Sequence, residues 1–65
     1  MQYTIAEKTR VPATGPFLYS FIGKAAYEKP TLAVLGDMAT GSDLYNFDSG
    51  ELFIFDRETD TWVQQ

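Results

Sequence analysis

The stretch Ser42-Asp43-Leu44-Tyr45-Asn46-Phe47-Asp48-Ser49-Gly50-Glu51-Leu52-Phe53-Ile54-Phe55-Asp56-Arg57-Glu58-Thr59-Asp60-Thr61-Trp62-Val63 decides the fold. Two short runs of aromatic and aliphatic residues flank Asp-Ser-Gly, and a third follows the polar tetrapeptide Arg-Glu-Thr-Asp. Runs of this length bounded by turn residues read as antiparallel hairpins. The expectation is a three-stranded meander over residues 42–65. A three-residue loop, with Gly50 in the left-handed position and Asp48 opening the turn, pairs Phe47 with Glu51, Tyr45 with Phe53 and Asp43 with Phe55. On the opposite side it pairs Asn46 with Leu52 and Leu44 with Ile54. A four-residue turn over 57–60 then pairs Asp56 with Thr61, Phe55 with Trp62 and Ile54 with Val63. On this register Tyr45, Phe47, Phe53, Phe55 and Trp62 share one face, while Leu44, Leu52, Ile54 and Val63 share the other.

Upstream, residues 2–6 alternate with Tyr3 and Ile5 on one side, the period of a short half-buried strand. Arg10-Val11-Pro12-Ala13-Thr14-Gly15-Pro16 carries two prolines and a glycine, which bar it from a central strand or helix and make it a loop or extended arm. Phe17-Leu18-Tyr19-Ser20-Phe21-Ile22 places Phe17, Tyr19 and Phe21 on one face and Leu18 and Ile22 on the other, a second strand closed by Gly23. Lys24–Glu28 allows one helical turn before Pro30. Thr31–Leu35 reads as a third strand or a buried extended segment ended by Gly36-Asp37. The fold class is mainly β: a small antiparallel sheet with a C-terminal meander, with a mini-barrel or a sandwich completed by oligomerisation as its closed forms.

The chain has 65 residues, which suits one small domain, with residues 1–30 supplying N-terminal strands and the proline-rich arm. It contains neither Cys nor His. That excludes disulfides, thiolate or imidazole zinc sites, and the commonest general base. Packing or a partner must supply stability, which is marginal at this size. No apolar run reaches membrane length, and the expectation from Met1–Ile5 is that no targeting segment precedes the fold. Charge is uneven. Residues 1–36 carry Lys8, Arg10, Lys24 and Lys29 against Glu7 and Glu28, a net +2. Residues 37–65 carry seven carboxylates against Arg57 alone, a net −6. This asymmetry suits contact between copies or docking on a basic neighbour, and opposes nucleic-acid contact by the acidic half.

No catalytic constellation emerges, so the expectation is a non-enzyme that binds no cofactor or metal. Gly36 to Ser42 has the glycine spacing of a phosphate loop without its lysine, and is read as a bend before a strand. Asp56, Glu58 and Asp60 alternate like the first calcium-loop ligands, but Thr61 stands where that loop needs glycine, so a turn accounts for them. Both meander faces are apolar, more than so short a chain easily covers. Tyr45, Phe47, Phe53, Phe55 and Trp62 are therefore candidate interface anchors, with ordinary core as the alternative.

The segment from Gly41-Ser42 through Asp48-Ser49-Gly50 to Asp56, followed by Thr61-Trp62-Val63 and preceded by Lys29-Pro30-Thr31, resembles a pattern found in small structural proteins of tailed bacteriophages. The resemblance spans about half of the chain. It implies a virion component, such as a capsid-decoration, head-fibre or fibre-base protein, made in the host cytoplasm. Such a protein would bind copies of itself or a capsid or tail protein, with the arm Val11–Pro16 lying along a neighbour. Two other expectations stand beside it: a carbohydrate- or cell-surface-binding module with Trp and Tyr stacking on sugar rings, and a small acidic inhibitor of a host nucleic-acid enzyme.

Overall fold

A computed structural model describes residues 1–10 and 13–65. Five strands form one sheet: β1 (Thr4–Thr9), β2 (Leu18–Gly23), β3 (Asp43–Asn46), β4 (Glu51–Asp56) and β5 (Thr61–Gln64). Their spatial order follows their order in the chain. The fold is mainly β, as the patterning of the sequence implies, but the sheet is mixed: β3 runs parallel to β2, and every other pairing is antiparallel. It stays open, since β1 and β5 are its two edges and do not pair with each other. Among the described residues of one chain the sheet is therefore not closed into a mini-barrel.

Antiparallel neighbours can be joined by a tight turn, whereas parallel neighbours need a long crossover. Residues 24–42 are that crossover, and they fold over one face of the sheet. Thr31–Leu35, expected as a strand or an extended segment, is instead a helical turn, α1 (Leu32–Leu35). Thr31 caps it, its Oγ1 accepting from the Val34 amide at 3.4 Å, and Gly36 ends it at φ 87°. Helical spacing turns Leu32 and Leu35 toward the sheet, where they pack on the core, and leaves Val34 in solvent. Strand period cannot produce that division. The single helical turn allowed over Lys24–Glu28 is instead a non-helical turn, closed by the Tyr27 amide donating to the Lys24 carbonyl at 3.0 Å.

Between sheet and crossover lies the core: Tyr3, Tyr19, Phe21, Met38, Leu44, Phe53 and Phe55. Tyr19 and Phe21 stack at 5.3 Å, and Trp62 meets Phe21 edge-on at 6.0 Å and Phe55 at 5.0 Å. The crossover's glycine-flanked bend is structural. Ser42 is fully buried, its hydroxyl donating to the Ala39 carbonyl (2.8 Å) and accepting from the Tyr19 amide (3.0 Å).

β1 lies further along the chain than expected and is bulged between Ile5 and Glu7. Ile5 faces Phe21 but stays 42% exposed, because β1 is an edge. Tyr3, just before the strand, is buried. Its hydroxyl donates to Asn46 Oδ1 at 2.6 Å, with the Lys24 carbonyl 3.1 Å away. Asn46 is itself fully buried, so each polar group satisfies the other. Of the arm Val11–Pro16, Val11 and Pro12 lie outside the described residues. Residues 13–16 turn into β2.

Gly23 is required where the ends of β2 and β3 meet Tyr3. A Cβ there would lie 2.6 Å from Tyr3 Cδ1 and 2.9 Å from Tyr27 Cδ2. Gly23→Ala must displace both rings, and the expected loss is about 1–3 kcal/mol in urea unfolding. A second expectation concerns pH. Burial pushes the Tyr3 phenol above its ordinary value, with the Asp48 and Glu51 charges adding to the rise. The fold holds the neutral phenol, so this contribution is complete below the phenol's ordinary pKa of about 10 and is lost as pH rises through the raised value. Tyr3→Phe should cost about 1–3 kcal/mol at neutral pH by orphaning the Asn46 amide oxygen. It should also flatten the alkaline decline in stability seen by circular dichroism; an unchanged alkaline limb would assign that decline to another group.

Candidate docking face

Because the crossover covers one side only, the other side of the sheet is bare. Register places Thr4, Ile22, Tyr45 and Leu52 in one row across β1–β4. Glu7, Ser20, Asp43, Ile54 and Val63 form the adjoining row across all five strands. Exposure is 39% for Ile22, 41% for Tyr45, 40% for Leu52 and 50% for Val63. Ile54 is half-buried among them. These residues make a contiguous apolar strip that no described segment of the chain overlies.

The candidate anchors read from the sequence do not all lie together. Phe53 and Phe55 are core residues. Trp62 is half-buried over the same core, its indole N–H donating to the Pro30 carbonyl at 2.8 Å. Tyr45 is on the bare side, and Phe47 is 54% exposed in the turn that follows β3. The cause is a one-residue difference in register. The first hairpin loop has four residues, Phe47–Gly50, so Asn46 pairs with Glu51, Tyr45 with Leu52, Leu44 with Phe53 and Asp43 with Ile54. Side chains alternate at a period of two, so the slip moves Leu44 and Asn46 to the covered face and Tyr45 to the bare one. The second hairpin has the expected register: Asp56 with Thr61, Phe55 with Trp62 and Ile54 with Val63. Phe53, Phe55 and Trp62 thus share one face, and Leu52, Ile54 and Val63 the other. Ile22 was visible as the outer residue of its strand, but only the crossover shows that its face stays open.

Asp48 and Gly50 hold the turn. Gly50 has φ 75°, its amide donates to the Asn46 carbonyl (2.8 Å), and Asp48 Oδ1 accepts from the Ala25 amide (3.0 Å). Asp37, Asp56 and Asp60 are also used locally. Asp56 Oδ1 accepts from the Glu58 amide (3.0 Å), and Asp60 Oδ1 from the Leu32 amide (3.2 Å). Asp37 pairs with Arg57 at 2.9 Å, and the Arg57 hydrogen bond holds its carboxyl below the usual carboxylate range. Among the described residues no group of His, Cys, Asp and Glu could hold a metal ion, and no helix is long and apolar enough to cross a membrane. Two shallow hollows flank the crossover, one of about 300 Å³ beside Met1, Lys29 and Val34, the other of about 400 Å³ beside Lys8, Arg10 and Phe17. Comparison with known protein families, curated proteins and solved structures finds no match.

The two faces should respond differently to substitution. Tyr45→Thr and Leu52→Thr, which keep strand propensity on the bare side, are expected to change unfolding free energy by less than about 1 kcal/mol. Phe55→Ala should cost about 3–5 kcal/mol. Comparable losses at all three positions would mean that both faces are core.

Proposed function

We propose that this chain is a non-enzymatic assembly subunit of a tailed-bacteriophage particle, of the capsid-decoration or fibre-base kind, which docks through the bare face of its sheet. The observation that carries the docking is the strip Ile22–Tyr45–Leu52 with Ile54 and Val63, apolar and uncovered on an otherwise well-packed chain. Contiguous exposed apolar strips of this kind mark interaction surfaces. The particle is suggested by the resemblance of the Gly41–Asp56 and Thr61–Val63 segments to small phage structural proteins. Tyr45 is the natural anchor, since tyrosine brings a large rigid area to a contact at little entropic cost.

The sugar-platform reading needs an exposed Trp62, whereas its ring lies against Phe21 and Phe55 and its N–H is taken by Pro30. The inhibitor reading needs carboxylates presented as a phosphate-like row, whereas Asp37, Asp48, Asp56 and Asp60 accept hydrogen bonds within the chain. Neither has an observation in its favour comparable with the bare strip.

Mass spectrometry of purified particles from cells producing the chain tests the proposal. The expected outcome is many copies per particle, with incorporation lost for Tyr45→Thr and Leu52→Thr variants that remain folded. A chain found only in the soluble fraction would overturn it.

A further inference from the structure

Charge is sorted between the two sides of the sheet. At the outward positions of the five strands the charged residues are Glu7, Asp43 and Asp56, all carboxylates. Four of the five cations are engaged elsewhere. Lys8 and Arg10 lie over the Phe17 ring at 4.2 and 3.9 Å, Lys29 lies over Phe53 at 4.3 Å, and Arg57 pairs with Asp37 of the crossover. The fifth, Lys24, follows Gly23 just beyond the end of β2.

We propose that the bare face docks the apolar stripe of a basic amphipathic helix on a partner protein, and not a second copy of this chain. This rests on the assembly reading above and specifies its partner. Asp43 stands opposite Ile54 and two residues before Tyr45 on the same face of β3, so its carboxylate adjoins the middle of the apolar strip. Glu7 lies at the β1 end of the same row, and Asp56 at the far end of β4. Two copies stacked face to face would bury carboxylates against one another with no cation on either strand surface, and like-charge juxtaposition in a desolvated contact strongly opposes association. A helix with leucine-like residues along one stripe and lysine or arginine beside it meets both features. Its stripe covers Ile22, Tyr45, Leu52 and Val63, and its flanking cations make charge-assisted hydrogen bonds to Asp43, Glu7 and Asp56.

The test uses the full-length chain, labelled with ¹⁵N, and three synthetic peptides. These are an amphipathic leucine–lysine helix, its leucine–glutamate counterpart, and a leucine–lysine peptide of scrambled order. The amphipathic lysine peptide should bind saturably, with amide shifts centred on Ile22, Tyr45, Leu52 and Ile54. The glutamate and scrambled peptides should bind at least about tenfold more weakly. Added salt should weaken the lysine complex, and the triple variant Glu7→Gln, Asp43→Asn, Asp56→Asn should lose most of the preference for lysine while still binding. Equal affinity for lysine and glutamate peptides would overturn the basic partner and leave docking by this face standing. Self-association of the free chain centred on the same amides would overturn the exclusion of a second copy. Amide shifts confined to other surfaces, or none with any peptide, would overturn both the partner and the docking face.

Discussion

Parallel pairing of β2 with β3 is the constraint on which the rest of the structure depends. Such a pair cannot be closed by a turn, so the chain must leave the sheet after Gly23 and return before Asp43. Most of what packs on the sheet from outside the strands comes from that excursion, namely Tyr27, α1 with Leu32 and Leu35, and Met38, with Tyr3 and Phe17 added from just before β1 and β2. One crossover covers one face. The remaining connections are short: two four-residue turns, and the loop between β1 and β2, whose residues 13–16 lead into β2. The bare side is thus a consequence of topology, and not of a missing apolar complement. Sheets built from parallel strands are normally covered on both faces, and Ile22 and Tyr45, which face each other across the parallel pair, stand where a second cover would lie.

The crossover is tied down at both ends by polar groups buried in pairs. At the departing end Tyr3 bridges Asn46 and the Lys24 carbonyl, and Gly23 leaves room for its ring beside Tyr27. At the returning end Ser42 joins the Ala39 carbonyl to the Tyr19 amide. Trp62 adds a third tie by donating to Pro30. These bonds are worth little net, but each would leave a buried group unsatisfied if broken. They fix where the crossover leaves and rejoins the sheet, which hydrophobic contacts alone leave loose. Arg57 and Asp37 pin the crossover to the β4–β5 turn in solvent, where an ion pair contributes less.

Much of this was legible in the residues. The alternation of Phe17–Ile22 gave the correct faces of β2, and the second hairpin gave its register, because Arg57–Asp60 leaves only one plausible four-residue turn. The first hairpin was ambiguous for a physical reason. A left-handed residue ends a three-residue loop and a four-residue loop alike, so Gly50 is compatible with both, and Asp60, at φ 52°, occupies the same place in the other turn. The pattern of side chains did not decide it either, since Leu44 and Tyr45 are both apolar. The deciding residue, Asn46, looks like a turn former and is instead buried to receive the Tyr3 hydroxyl from 43 residues away in sequence. Long-range pairing of that kind, like the parallel partnership of β2 and β3, leaves no local signal. The same holds for α1, where Thr31 and Gly36 are proper caps but the run is too short for its period to declare itself.

A chain of 65 residues without disulfides, metals or histidine invites the view that its fold must be completed by a partner. The structure argues for a narrower conclusion. Its accessible surface of 4114 Å² is what a compact monomer of this mass exposes, about 4,200 Å², so the aromatic core on the covered side suffices for compactness. The apolar strip on the other side is not an unfinished core. Scattered surface hydrophobes are ordinary, but these adjoin one another across three or four strands, and the charges among them all have the same sign. Folding does not require the contiguity or the sign, and the proposed recognition of an apolar, positively flanked surface accounts for both.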